Sequence, residues 1–276
     1  MDLLSDPGFL QSAFLAGLLA SIGCGVMGSY VVVKRIGYMA GGIAHSVLGG
    51  MGAALFFGFA PLGGALAAAL VAALLIGLIR LHWQAQEDTL IGAVWAIGMS
   101  VGVLFIARTP GYSADLMSYL FGNILLVSGT QLRQTLALDL VVIGLVTAFY
   151  RQFLAISFDE EFARLRGIPV TFFYLLFLCL VALSVVLLVQ VVGLILVIAL
   201  LTLPAAIAAH HVQTLGRMMV LASLLGMAFT STGIALSWQW DLPSGPVIIL
   251  VTGAAYLASA AGARWLRQHR AEAAVR

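Results

Sequence analysis

Charged side chains are scarce in this chain: Asp, Glu, Lys and Arg together make up 9% of its 276 residues. An average soluble domain carries about 25% of such residues. The formal net charge of +2 provides no broad basic surface, so no nucleic-acid partner is expected. Cysteine is also rare. Cys24 and Cys179 both lie within apolar runs, so neither a disulfide framework nor a cysteine-based zinc site is expected.

Catalytic motifs are absent as well. The sequence contains no HExxH, no GxSxG and no Walker A loop. The chain is therefore not expected to be an enzyme or to hold a cofactor permanently. Because it has no nucleotide site, any pumping would draw its energy from another chain or from an ion gradient.

Apolar residues are in excess: 62% of the residues are hydrophobic, and the mean hydropathy is +1.11. A helix needs roughly 20 apolar residues to cross the hydrocarbon core. Nine runs are long enough or nearly so, at 9–33, 39–59, 62–81, 90–107, 136–150, 172–189, 191–209, 218–238 and 246–266. The run 116–127 is too short to span easily, so a re-entrant or surface helix is expected there. The composition predicts an all-α, polytopic transmembrane bundle of about 8–10 spans, formed by a single domain over 1–276.

Positive charges mark one side of this predicted bundle. When nine runs cross alternately, that side collects Lys34, Arg35, Arg80, Arg151, Arg164, Arg166, Arg217, Arg264, Arg267 and Arg270. The other side carries few cations, chiefly Arg108. By the positive-inside rule, the first side and the C-terminus are cytoplasmic and the N-terminus is external.

The densest group of charges lies in the segment 157–169, SFDEEFARLRGIP. Five charges within eight residues must lie outside the bilayer core. Phe158, Phe162 and Leu165 recur at i, i+4 and i+7, which is typical of a short amphipathic helix, and Gly167 suits a helix C-cap. Two interpretations stay open: a surface helix whose apolar edge another protein could bind, or a solvated loop between spans.

His45 is the unusual polar residue of the second run. It lies about ten residues from the cytoplasmic flank, or roughly 15 Å at the rise of an α-helix, near the middle of the bilayer. Gly41 and Gly49 lie four residues on either side, on the same helical face. The imidazole could face a cavity and bind a passing transition-metal ion, or it could form a hydrogen bond to a neighbouring helix.

Four further residues are candidates for an aqueous path or a gate. Asp88 and Asp115 could line the path, although acids at predicted helix starts are also explained by the helix dipole. Asn123 in the short run 116–127 could line an aqueous mouth or bond to the backbone. Pro204 interrupts the run 191–209, where the resulting kink is either a gate or a structural bend.

Six separate stretches resemble the membrane permeases of the ABC-3 family, the bacterial zinc, manganese and iron importers. They are KRIGYMAGGIAHSVLGG at 34–50, EDTLIG at 87–92, ADLMSYLFGNIL at 114–125, FDEEFARLRGIPV at 158–170, VVGLILVIALLTLPAAIA at 191–208 and DLPSGPVIIL at 241–250. Their order and spacing agree with that family over nearly the whole chain. The fold that this resemblance implies is a type II ABC importer-like permease.

The resemblance also implies partners and a location. A homodimer of the permease would lie in the bacterial cytoplasmic (inner) membrane among its lipids, with ABC ATPase subunits on the cytoplasmic face and an external metal-binding protein. The segment 158–167 would be the coupling helix that contacts the ATPase. Its apolar anchors would be Phe158, Phe162 and Leu165, its polar rim Asp159, Glu160 and Arg164, and its end Gly167.

One departure from the family concerns the substrate. Family members carry an acidic residue four positions before the histidine, whereas this chain has Gly41 before His45. The leading hypothesis is the permease subunit of an importer for zinc, manganese or iron, with the metal ion as substrate. A permease for a chelated metal or cofactor is the first alternative. An intramembrane enzyme that uses His45, or a scaffold that transports nothing, would belong to other functional classes.

Overall fold

The structure, a computed structural model, describes residues 7–83, 87–109, 122 and 124–275. Its helices are α1 (Pro7–Lys34), α2 (Gly37–Phe56), α3 (Pro61–His82), α4 (Glu87–Arg108), α5 (Gly129–Ala148), α6 (Tyr150–Phe158), α7 (Glu160–Leu165), α8 (Val170–Val192), α9 (Leu194–His211), α10 (Leu215–Trp240) and α11 (Ser244–Val275). A short 3-10 turn covers Ile124–Leu126. The described residues form no strand, and eight helices are long and apolar enough to cross a membrane. The predicted all-α transmembrane bundle is confirmed.

Glycines set the packing of α2 against α4. A Cβ atom at Gly49 would lie 2.7 Å from the carbonyl oxygen of Gly98, and one at Gly52 would lie 2.5 Å from that of Gly102. Both pairs advance in the same direction, so α2 and α4 run parallel with their backbones in close approach. Only small residues permit such contact between membrane helices.

Helix α1 lies at the centre of the bundle and packs against α10 in the antiparallel sense. Gly17 faces Thr230, whereas Gly25 faces the backbone of Ser223. On another side, Gly28 faces the carbonyl oxygen of Leu201 in α9. These three glycines allow α1 to contact two helices at backbone distance.

The turn between α8 and α9 is built on a second close approach. Gly193 has a φ of 78°, a conformation that L side chains rarely adopt. A Cβ atom at Gly122 would collide with the amide nitrogen of Gly193.

The 18 residues of α9 span about 27 Å, nearly the thickness of the hydrocarbon core. Most of the predicted short run 116–127 lies outside the described residues, so its expected course is not tested.

The ends of several helices meet where the sequence predicts the cytoplasmic side. Nζ of Lys34, the last residue of α1, lies 3.1 Å from Oε1 of Glu160 in α7. Arg80 near the end of α3 lies over the ring of Tyr174, early in α8, at 5.3 Å. The charged segment therefore contacts the same end of the bundle as the cations of the first and third runs.

Candidate functional site

The ring of His45, a residue of α2, stacks on the indole of Trp95, a residue of α4. The two ring centroids are 4.1 Å apart and the planes are inclined by 8°. The Nδ1 atom is buried and has no hydrogen-bond partner among the described residues. Nδ1 therefore forms no hydrogen bond to a neighbouring helix within the described part of the chain. Burying a polar nitrogen without a partner is unfavourable, so the position of this nitrogen indicates a functional role.

Gly41 lies close to the indole that stacks on the imidazole. A Cβ atom at Gly41 would lie 3.2 Å from Cδ1 of Ile198 and 3.8 Å from Cζ3 of Trp95. A side chain at this position would therefore extend along the indole, one helical turn from His45. Trp95 could not be identified from the sequence, because its contact with His45 depends on the parallel packing of α2 and α4.

A cavity of about 770 Å³ opens along the outer face of α4 beside this pair. Its lining comprises Tyr38, Gly92, Trp95, Ala96, Met99, Ser100, Val103 and Leu104. The Tyr38 hydroxyl donates a hydrogen bond of 3.3 Å to the backbone oxygen of Asp88, which joins the starts of α2 and α4. The wall is mainly apolar, and the hydroxyl groups of Tyr38 and Ser100 are too few to form a tight ion cage.

The other predicted path residues are dispersed. Asp88 lies exposed at the start of α4, seven residues and about 10 Å along the helix from Trp95. Asp115 and Asn123 lie outside the described residues. Pro204 is buried within α9 and does not end that helix. Within the described part of the chain, no three His, Cys, Asp or Glu side chains gather as metal ligands.

The expectation of one helix over 158–167 is wrong in its first residues. Phe158 ends α6, and Asp159 is the N-cap of α7, its Oδ1 accepting a 2.9 Å hydrogen bond from the amide of Phe162. An aspartate cap and two glutamates in the next turn favour a new helix start at this point. The helix ends as predicted, with Gly167 at a φ of 75°.

The three apolar residues of this segment are turned outward. Phe158, Phe162 and Leu165 are 68%, 48% and 88% exposed, although their side chains are strongly hydrophobic. Arg166 lies over the ring of Phe162 at 5.0 Å. A cavity of about 420 Å³ lies beside this surface, between Arg164 and Thr171. An exposed apolar edge outside the spanning helices is typical of a docking surface.

Asp139 is a candidate that the sequence analysis missed. It lies in the middle of α5 and is 2% exposed, and neither carboxyl oxygen has a hydrogen-bond partner among the described residues. Its Oδ1 contacts Gly23 of α1 closely. Thr135, one turn away, is also buried without a partner for its hydroxyl in the described structure. The signal in the sequence was a lone carboxylate inside an apolar run.

Comparison with known proteins identifies the family. The model of the ABC 3 transport family matches residues 6–263. The chain belongs to the ABC-3 transport family. It is a multi-pass bacterial membrane protein and a transport permease, and ATP hydrolysis belongs to a separate subunit. The alternative of an intramembrane enzyme that uses His45 is therefore wrong.

Relatives and a solved structure extend over most of this ABC-3 chain. A Chlamydia pneumoniae protein named "Probable metal transport system membrane protein" is 41% identical, covering 91% of this chain and 87% of that protein. The manganese transport system membrane protein MntC of Halalkalibacterium halodurans is 35% identical, and the match covers 91% of this chain and 86% of that protein. The structure of PsaBC from Streptococcus pneumoniae in complex with Fab is similar, with a TM-score of 0.84 and 31% sequence identity. The match covers 94% of this chain and 93% of the chain in that structure.

Proposed function

We propose that this chain is the permease subunit of an ATP-driven importer of a divalent transition-metal ion, with manganese the foremost substrate. The names of the Chlamydia and Halalkalibacterium relatives support metal as the cargo and manganese as the first choice. The observation that carries the proposal in this chain is the buried Nδ1 of His45, which has no partner among the described residues. The imidazole stacks on Trp95, and Trp95 lines an open cavity.

The proposed path follows the outer face of α4. A second copy of the permease would cover this face, since the cavity there is open in a single chain. The path offers the ion one imidazole, with the hydroxyl groups of Tyr38 and Ser100 nearby, and so binds it weakly. Weak binding is compatible with transport, because the ion must also leave. Asp88 would lie at the cytoplasmic mouth, and Asp115 and Asn123 remain proposed parts of the path.

Energy would reach this path from ATPase subunits bound at the cytoplasmic end. The proposed contact is the outward-facing apolar edge of Phe158, Phe162 and Leu165, with Asp159, Glu160 and Arg164 around it. Burying such side chains would stabilise the contact by about 1.5–3 kcal/mol each. An external solute-binding protein would deliver the metal, and the part of α9 around Pro204 is the proposed gate.

The decisive experiment is uptake of manganese, zinc and iron in parallel by the complex reconstituted in vesicles. The informative variant is His45→Phe, because phenylalanine can still stack on Trp95 but offers no nitrogen to a metal. We expect uptake per molecule of the His45→Phe complex to fall at least tenfold, whereas ATPase assembly is unchanged. Uptake equal to the wild type would exclude the imidazole from the path.

A permease for a chelated metal is the second candidate. The cavity of about 770 Å³ holds the volume of roughly 25 water molecules, far more than a bare ion requires. The absence of a carboxylate at Gly41 agrees with this reading. Uptake that occurs when a metal chelate is supplied, but not when the free metal is supplied in its place, would favour this candidate over the first.

A further inference from the structure

The break between α6 and α7 is held by a lysine from another part of the chain. Nζ of Lys34 donates a hydrogen bond of 2.6 Å to the carbonyl oxygen of Ile156 and one of 3.1 Å to Oε1 of Glu160. Ile156 is among the last four residues of α6, whose carbonyls lack partners within their own helix. Glu160 is the first residue of α7. A single ammonium group therefore bonds to both sides of the break at Asp159.

Electrostatics favour this arrangement at both helix ends. A cation is stabilised at the C-terminus of a helix and an anion at the N-terminus, by about 0.3–1 kcal/mol each at exposed sites. The Lys34 side chain is only 4% exposed, whereas Glu160 is 38% exposed. The ammonium group is thus largely removed from water, and its hydrogen bonds to the segment replace its hydration.

The same lysine connects the segment to the core of the bundle. Nζ of Lys34 lies 5.4 Å from the ring centroid of Tyr174 in α8, a cation–π contact. Arg80 of α3 lies over the same ring, and the Tyr174 hydroxyl donates a hydrogen bond to Sδ of Met39 in α2 at 3.4 Å. Through Tyr174, the end of α1 is in contact with α2, α3 and α8.

We propose that Lys34 is a positioning residue that fixes the angle between α6 and α7 and transmits movement of α7 to the spanning helices. This inference rests on the proposed contact between α7 and an ATPase. Since α1 continues directly into α2 through a two-residue turn, a displacement of Lys34 also displaces the helix that carries His45.

Two measurements on the full chain test this inference. Lys34→Met keeps the apolar stem and removes the charge, whereas Lys34→Arg keeps the charge and the donors. Arg217→Met removes an exposed cation at the start of α10 and serves as the matched control. For the reconstituted complex, we expect Lys34→Met to lower the metal transported per ATP hydrolysed at least threefold. Lys34→Arg should retain most of this ratio, and Arg217→Met should leave it unchanged.

The second measurement does not depend on transport. Spin labels on cysteines in place of Leu165 and His82 report the distance between α7 and the end of α3, in a chain whose Cys24 and Cys179 are alanine. We expect Lys34→Met to broaden this distance distribution and Lys34→Arg to leave it narrow. An unchanged distribution, or a broadened one with an unchanged transport ratio, would overturn the inference. A wild-type complex that hydrolyses ATP but moves no metal would refute the proposed function instead, and the distances would still decide whether Lys34 positions α7.

Discussion

Replacing Gly41 by aspartate tests whether the face of α2 that carries His45 can bind metal. The new carboxylate would lie one helical turn from the imidazole, a separation of about 5–6 Å between Cβ atoms that allows two side chains to bind one ion. A Cβ atom at Gly41 is 3.2 Å from Cδ1 of Ile198. This is the flexible end of a side chain, which needs to move by only a few tenths of an ångström. The variant is therefore expected to fold.

The size of the effect follows from the charges. At an effective dielectric constant of 20, a unit charge pair 4 Å apart interacts by about 4 kcal/mol, so a divalent ion and a carboxylate gain about 8 kcal/mol. Removing both charges from water costs several kcal/mol per ion. The expected net gain is about 1–3 kcal/mol, or a roughly 5- to 150-fold increase in the affinity of the permease for Mn²⁺.

The assay is calorimetric titration of the purified permease with Mn²⁺, followed by uptake in reconstituted vesicles. Gly41→Asn provides the control, because it has the same shape as aspartate without the charge. Tighter binding should slow release, so uptake by Gly41→Asp should saturate at lower Mn²⁺ with a lower maximal rate. If Gly41→Asp bound Mn²⁺ no more tightly than Gly41→Asn, the face shared by residue 41 and His45 would not be part of the path.

Two further predictions concern stability. Gly49→Ala places a methyl group 2.7 Å from the carbonyl oxygen of Gly98, 0.7 Å short of ordinary contact at 3.4 Å, and should destabilise the protein by about 1–3 kcal/mol. Gly144→Ala serves as the control, because its methyl group meets no atom within 4 Å and should stabilise the protein slightly. If Gly49→Ala and Gly144→Ala had equal melting temperatures in detergent, the packing of α2 on α4 would be contradicted. Asp139→Leu replaces two unpartnered buried oxygens by methyl groups of similar arrangement. It should raise the free energy of unfolding by about 1–3 kcal/mol, and the melting temperature by several degrees. A lower melting temperature would show that Asp139 makes a stabilising contact.

Spanning helices could be read from the sequence because bilayer thickness imposes a length on them. The run 62–81 corresponds closely to α3, Pro61–His82, whose ends are set by a proline and by polar residues. The end of α7 was also predictable, since Gly167 takes a backbone conformation that other residues adopt only at a cost. Its start was not predicted, because the apolar spacing of Phe158 and Phe162 outweighed the local signal of an aspartate cap.

Contacts between distant helices could not be derived from any single run. The stack of His45 on Trp95 requires that α2 and α4 run parallel with α3 outside the pair, which depends on glycines more than 40 residues apart. The bonds of Lys34 to α6 and α7 likewise join residues more than 120 positions apart. Hydrophobic periodicity reports which face of a helix is buried, but not which helix covers it.

Gly41, which stands where an acidic residue is expected from the family resemblance, lies close to Trp95. The indole covers one face of the imidazole, and a metal ion would bind a ring nitrogen in the plane of the ring, where the lone pair lies. A Cβ atom at Gly41 would be in ordinary contact with this indole, 3.8 Å from Cζ3 of Trp95, so a carboxylate at 41 would add a negative charge beside the two rings. In the proposed path, the ion would meet one nitrogen ligand and mainly apolar walls, so discrimination among metals would arise largely before the ion reaches His45.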